Sequence, residues 1–118
     1  MAATKKVRIY HNPRCSKSRE TLALLREQGV EPEVVDYLKT PPSAAELRGL
    51  AKKLGAGPHA LLRSKEPAYA AAGLGPDSDL DEVVAAIVKE PVLLERPVVV
   101  VGERAAIGRP PERVLALL

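Results

Sequence analysis

The one cysteine of this 118-residue chain lies among residue types that suit nucleophilic chemistry. Cys15 follows the turn-forming pair Asn12-Pro13 and precedes a run with the pattern of a helix. Backbone N–H groups at a helix start have no intrahelical partner, and they stabilise anions, a thiolate among them. Its polar and cationic neighbours are His11, Arg14, Ser16, Lys17, Ser18 and Arg19. These surroundings predict an activated thiolate in an anion-binding loop, whereas an inert cysteine would have apolar neighbours.

Three arginines elsewhere in the chain could bind an oxyanion together with this cysteine. Arg63 ends a predicted helical turn, Arg96 directly precedes a proline, and Arg109 lies in the loop after the last predicted strand. Guanidinium groups suit tetrahedral oxyanions because they carry planar, paired donors and remain charged. In the fold predicted below, the positions of Arg96 and Arg109 can converge on the cysteine end of the sheet.

Composition excludes several classes of protein. The net charge is only +3, there is no Phe or Trp, and no basic stripe is visible, so we expect no nucleic-acid binding. One cysteine cannot form an internal disulfide, and together with two separated histidines it makes no metal-ligand set, so we expect no metal. The N-terminal stretch MAATKKVRIY lacks the apolar core of a signal peptide, and no apolar run is long enough to cross a membrane. The sequence therefore predicts a cytoplasmic protein without membrane contact.

The first third of the chain has the pattern of a strand, a helix and a second strand. Residues 7–10 are an apolar strand segment, and the helix that starts near Cys15 closes at Gly29. Residues 33–37 form the second strand. Because the connection between the strands contains a helix, the two strands are expected to be parallel.

Helical signals dominate the middle of the chain. Ser43 and Glu46 have the spacing of a capping box at the start of a helix. Short helical segments are expected over residues 58–63 and 66–72. Asp79 then caps a further helix, which a proline stops. This segment is a helical insert at about 43–90.

The last third of the chain predicts a hairpin followed by a helix. The valine run 98–101 suits a strand buried on both faces. Gly102-Glu103 is a two-residue turn, and residues 104–107 form the return strand. A last helix is expected after Pro111, which suits a first helical turn.

A βαβ half, a helical insert and a ββα half describe an α/β protein with a thioredoxin-like mixed sheet flanked by helices. We therefore predict a single domain over residues 1–118. In that fold the proline before the third strand is commonly cis and lies against the active cysteine. Pro97 is the candidate for this position.

Five motifs occur in order and together resemble the glutaredoxin-coupled arsenate reductase family: HNPRCSKSRETL, YLKTPPS, ALLR, ERPVVV and IGRPPE. The similarity runs from about Val7 to Leu118. The resemblance implies an enzyme that reduces arsenate to arsenite through an adduct on a cysteine thiolate. It also implies glutathione as co-substrate, glutaredoxin as partner and no bound cofactor.

The matching motifs assign roles to particular residues. Cys15 would be the nucleophile, and His11 would support its thiolate. The implied oxyanion ligands are Arg63, Arg96 and Arg109, and the supporting residues are Asn12, Ser16, Ser18 and Pro97.

Two other functions remain open from the residues alone. Cys15 and Ser18 have the CxxS spacing of monothiol glutaredoxin-like oxidoreductases, which exchange thiols and disulfides without an oxyanion. The Spx-type RNA polymerase-binding regulators share the fold, but many carry a CxxC switch, and position 18 is serine here. The three arginine motifs favour the oxyanion enzyme over both.

Overall fold

The computed structural model describes residues 6–118. Half of the N-terminal stretch used above to predict the absence of a signal peptide therefore lies outside the described residues. The described chain divides into two compact units. One comprises the residues up to Asp36 together with Arg96–Leu118, and the other is Tyr37–Glu95. The single-domain organisation predicted for residues 1–118 stays a prediction.

The first unit is built on a four-stranded mixed sheet with the strand order β2-β1-β3-β4. The strands are β1 (Val7–His11), β2 (Glu33–Asp36), β3 (Val98–Val101) and β4 (Arg104–Ile107). β1 runs parallel to β2 and antiparallel to β3, which in turn pairs antiparallel with β4. This arrangement confirms the predicted βαβ and ββα halves of a thioredoxin-like sheet.

Helix α1 (Ser16–Glu27) connects the two parallel strands. It ends as the sequence predicts, because Gly29 adopts a left-handed backbone with φ of 78°. The Gly29 N–H donates to the Arg26 carbonyl at 3.0 Å, and the Val30 N–H donates to the Leu25 carbonyl at 3.0 Å. This pair of bonds is a Schellman motif, which satisfies carbonyls that the end of the helix would leave unpaired.

One buried cluster in the core of the first unit is aliphatic, as expected for a chain without Phe or Trp. Its buried members are Ile9, Leu25, Val99, Val101, Val114 and Leu117. The last two come from the helix predicted after Pro111, which is present but is a 3₁₀ helix over Pro111–Leu117. In a 3₁₀ helix residues three apart point the same way, so Val114 and Leu117 both reach the core.

The second unit is helical. Its elements are α2 (Ala44–Leu54), a 3₁₀ helix (Pro58–Leu61), α3 (Pro67–Ala71), α4 (Leu80–Lys89) and a 3₁₀ helix (Pro91–Leu93). The capping box predicted at Ser43 and Glu46 is present, and Asp79 caps α4 as predicted. Across residues 6–118 we find no helix whose length and apolar character would let it traverse a bilayer.

The helical segment predicted over residues 58–63 is too long. The helix ends at Leu61, and Leu62 is extended and forms a bridge with Leu94. The Arg63 N–H then donates to the Leu93 carbonyl at 2.8 Å. Arg63 therefore does not end a helical turn, because its backbone pairs in a strand-like manner with a distant segment.

Candidate active site around Cys15

Cys15 occupies the N-cap position of α1. Its backbone is extended, its N–H donates to the Asn12 carbonyl at 3.0 Å, and its carbonyl accepts from the Arg19 N–H at 3.0 Å. The residue is buried, with 8% exposure, and Ser16 follows as the first, exposed residue of the helix. The thiol consequently lies at the positive end of a twelve-residue helix, a position that suits a bound anion.

Asn12 holds the loop that precedes this cysteine. Its side-chain oxygen accepts from the Arg14 N–H at 3.0 Å, which is the hydrogen bond of an Asx turn. Its own N–H donates to the Ser18 hydroxyl at 3.0 Å. The Arg19 guanidinium adds a hydrogen bond to the Pro13 carbonyl at 2.9 Å. Side chains from the first turn of α1 therefore tie the loop to the helix that follows it.

His11 lies at the end of β1 and contacts this loop through a buried hydroxyl. Its Nδ1 is 2.6 Å from the Ser18 Oγ, and both residues are buried. Burial lowers the pKa of His11 below its ordinary value; the Asp36 carboxylate opposes this shift, while Arg26 and Arg19 add to it. The neutral imidazole is therefore the form expected near pH 7.

One of the three predicted arginines, Arg109, contacts the cysteine through its side chain, and it also binds the backbone of Arg96. The Arg109 guanidinium donates from Nη2 to the Cys15 Sγ at 3.4 Å and from Nε to the Arg96 carbonyl at 2.8 Å. Atoms Nε and Nη1 of Arg96 are themselves buried. The peptide bonds of Arg96–Pro97 and Arg109–Pro110 are both cis, so Pro97 is cis as its position suggested, and Pro110 was not foreseen. Arg109 thus bridges the backbone at Arg96 and the thiol.

Arg63 belongs to the second unit, where its guanidinium forms an ion pair with the Glu66 carboxylate. Both side chains are largely buried, with 24% and 21% exposure. The Glu66 N–H also donates to the Arg63 carbonyl at 3.1 Å. The role of Arg63 as an oxyanion ligand stays a prediction.

Thr21 and Gly108 were not singled out from the sequence as residues of this site. Thr21 is fully buried on α1, in the second turn after the cysteine, and its hydroxyl donates to the Lys17 carbonyl at 2.8 Å. Gly108 is buried immediately before Arg109, and its N–H donates to the Pro97 carbonyl at 3.0 Å. The sequence signal that could have pointed to Thr21 is its position as a polar residue on the apolar face of α1.

A fold and a cysteine loop of this kind define a class of protein. The sequence model of the ArsC family matches residues 10–117 of the chain. The chain belongs to the ArsC family, which confirms the resemblance recognised in the sequence motifs.

Individual relatives match along nearly their whole length. A protein of Escherichia coli (strain K12), YfgD, described as uncharacterized, is 57% identical over 118 residues, covering 98% of each chain. An arsenate reductase of Neisseria meningitidis is 47% identical over 114 residues, covering 95% of this chain and 97% of the relative. A solved structure named arsenate reductase from Vibrio cholerae superposes with a TM-score of 0.93 at 47% identity, covering 98% of this chain and all of the other.

Proposed function

We propose that this chain is an arsenate reductase that uses Cys15 as nucleophile and external thiols as reductant. The observation that carries the proposal is the 3.4 Å contact between the Arg109 guanidinium and the Cys15 Sγ at the start of α1. Relatives named arsenate reductase, 47% identical to this chain, support it.

The proposed site holds arsenate by charge and directed hydrogen bonds. The Arg109 guanidinium and the unpaired N–H groups at the start of α1 would receive the oxyanion, with Arg96 as a second cation. Support for Arg63 as a third ligand is its motif alone. Because donors fixed before the reaction need no reorganisation, they can stabilise the charge that develops on the arsenate oxygens.

The proposed reaction removes two electrons from thiols and gives them to arsenic. The Cys15 thiolate attacks arsenic(V), and an arsenic oxygen leaves as water after protonation, which forms a sulfur–arsenic bond. The thiol of glutathione then attacks the Cys15 sulfur, so arsenic leaves as arsenite(III) and a Cys15–glutathione disulfide remains. The chain has no second cysteine to open that disulfide. Glutaredoxin would therefore take over the glutathione and return Cys15 as a thiol.

One coupled assay tests this proposal. Arsenate-dependent oxidation of NADPH is measured with glutathione, glutaredoxin and glutathione reductase supplied, and each thiol component is then withheld in turn. We expect sustained turnover only in the complete system. After arsenate and glutathione alone, mass spectrometry should find one glutathione on Cys15. Turnover sustained by thioredoxin without glutathione would contradict the thiol pathway, and no arsenate dependence at all would favour the monothiol-exchange function.

The proposed chemistry requires a reducing compartment. A single cysteine that must return to the thiol after every cycle depends on a glutathione pool, which is characteristic of the cytosol. We therefore place the protein in the cytoplasm, with glutathione as a co-substrate and no resident cofactor.

A further inference from the structure

Gly108 lies very close to the side chains of Thr21 and Pro97, and this packing has no role in the proposed chemistry. A Cβ atom added at Gly108 would lie 2.8 Å from the Pro97 Cγ and 3.1 Å from the Thr21 Cγ2, and it would overlap the Thr21 Oγ1. The φ angle of Gly108 is not in the left-handed region. Glycine is therefore required at this position because of space rather than backbone conformation.

Thr21 forms one wall of this contact and cannot easily turn away. Its hydroxyl is held by the Lys17 carbonyl one turn earlier at 2.8 Å, and a β-branched side chain has few rotamers in a helix. The residue is fully buried, so a hydroxyl without that bond would be costly. α1 thus presents a fixed surface to Gly108.

Arg96 and Arg109 both adjoin this contact along the chain. Gly108 directly precedes Arg109, and Pro97, whose carbonyl accepts from the Gly108 N–H at 3.0 Å, directly follows Arg96. We propose that Gly108 and Thr21 are positioning residues, whose close packing sets the distance from the Arg109 guanidinium to the Cys15 sulfur. In naming the oxyanion as the ligand they position for, this inference rests on the proposed function.

The consequence for binding follows from the geometry. A methyl group at Gly108 must push Thr21 and Pro97 apart, which moves the backbone of Arg109. A displacement of about 1 Å at a binding group can lower catalytic efficiency about a hundredfold. When alanine replaces Thr21, the Oγ1 and Cγ2 atoms are lost, and the same methyl group can move toward α1 and away from the Pro97 Cγ.

The decisive variants are Gly108→Ala, which adds the excluded methyl group, and the double variant Gly108→Ala/Thr21→Ala, which makes room for it. Gly49→Ala is the matched control, because a Cβ at this glycine of α2 would meet nothing within 4 Å. Circular dichroism and denaturant unfolding first establish that each variant is folded.

The readout is protection of Cys15 from alkylation by iodoacetamide, titrated separately with arsenate and with phosphate. We expect Gly108→Ala to raise the half-protecting concentration about tenfold, the double variant to recover part of that loss, and Gly49→Ala to match the parent. A folded Gly108→Ala variant that is protected like the parent overturns the proposal. A double variant no better protected than Gly108→Ala overturns the assignment of Thr21.

Failure of the proposed function would look different. If neither oxyanion protects the parent, alkylation without anions is compared in the parent, Arg109→Ala and Gly108→Ala. The same change of rate in both variants upholds the positioning role, whereas a parent-like rate in either one overturns it. If Gly108→Ala does not fold, Thr21→Ala is tested instead. We expect it to raise the half-protecting concentration about threefold. A folded Thr21→Ala variant that is protected like the parent overturns the proposal.

Discussion

The start of α1 differs from the starts of α2 and α4 in how its N–H groups are used. At α2 the Ser43 hydroxyl accepts from the Glu46 N–H at 3.1 Å, and the Glu46 carboxylate accepts from the Ser43 N–H at 3.3 Å. Asp79 and Glu82 make the same reciprocal pair at α4. These two helices therefore begin with satisfied donors and a carboxylate beside their positive ends.

At α1 the N-cap is Cys15, which makes no side-chain cap, and the first turn contains no acidic residue. A cap is worth about 1 kcal/mol, so this start gives up stability that the other two helices gain. What it retains is a positive helix end and N–H groups that can face an anion. The difference separates two helix starts with reciprocal side-chain caps from one without a side-chain cap.

The largest expected effect comes from replacing Cys15 by serine, the residue type that caps α2. Cys15→Ser replaces the nucleophilic thiol by a hydroxyl that is too weakly acidic to form the sulfur–arsenic bond, so arsenate turnover should be lost. Serine is a good N-cap, so the free energy of unfolding should rise by about 0.5–1 kcal/mol. Urea denaturation measures this gain, and a Cys15→Ser variant less stable than the parent would contradict the comparison.

The next effect concerns the cation that faces the uncapped helix start. A charged hydrogen bond contributes about 1.5–3 kcal/mol, so Arg109→Ala should lower kcat/KM for arsenate by about ten- to a hundredfold. Arg109→Lys should recover little, because an ammonium lacks the guanidinium's second direction of donation to the Arg96 carbonyl.

Arg26→Ala is the matched control for that experiment. Arg26 is also in α1, but its side chain is half exposed, and its guanidinium forms an ion pair with the Glu31 carboxylate at 3.1 Å. Exposed pairs of this kind contribute little, so kcat/KM should stay near the parent value. Equal losses in Arg26→Ala and Arg109→Ala would show a general charge effect instead of a specific contact.

A smaller effect is expected at the capped helices. Asp79→Ala leaves the Glu82 N–H without its acceptor and should lower the free energy of unfolding by about 1 kcal/mol. The alkylation rate of Cys15 should not change, because none of the hydrogen bonds described around Cys15 involves α4. Thermal unfolding and iodoacetamide kinetics, measured on the same sample, separate the two properties.

The smallest effect is a dependence of stability on pH that originates at His11, the last residue of β1. Because the pKa of His11 is lowered from 6.5 in the folded chain, the unfolded chain binds the proton first as the pH falls. The free energy of unfolding should therefore decrease below about pH 6.5, until the folded chain is protonated as well. His11→Asn keeps an acceptor for Ser18 but does not titrate. Urea unfolding at about pH 7.5 and 5.5 should show a smaller pH effect in that variant, and equal effects would exclude His11 as the source.

Local features of the fold could be read from the sequence because their causes are local. Gly29 closes α1 through its own dihedral angle, and Ser43 caps α2 with a residue three positions away. The valine strand and its Gly102-Glu103 turn are likewise specified within a few residues. What was misjudged, the early end of the helix at Leu61, depends on pairing with a segment some thirty residues later.

The candidate site was predictable only in part for the same reason. Cys15 and its loop are contiguous in the chain, so residue types and spacing are enough to identify them. The Arg109 contact joins residues separated by 94 positions, and the motif resemblance rather than periodicity pointed to it. The packing of Thr21 against Gly108 depends on a distance between two elements, which no pattern of residue types encodes.

The order of the strands in the sheet has a consequence for the newly made chain. β1 lies between β2 and β3, so its second edge stays unpaired until residues 98–101 have been synthesised. Arg109 follows still later. A ribosome that has released only the first ninety residues therefore presents a cysteine loop without its guanidinium. The thiol gains its Arg109 contact only after residue 109 has been made, so a product terminated before that position carries the cysteine loop without this contact.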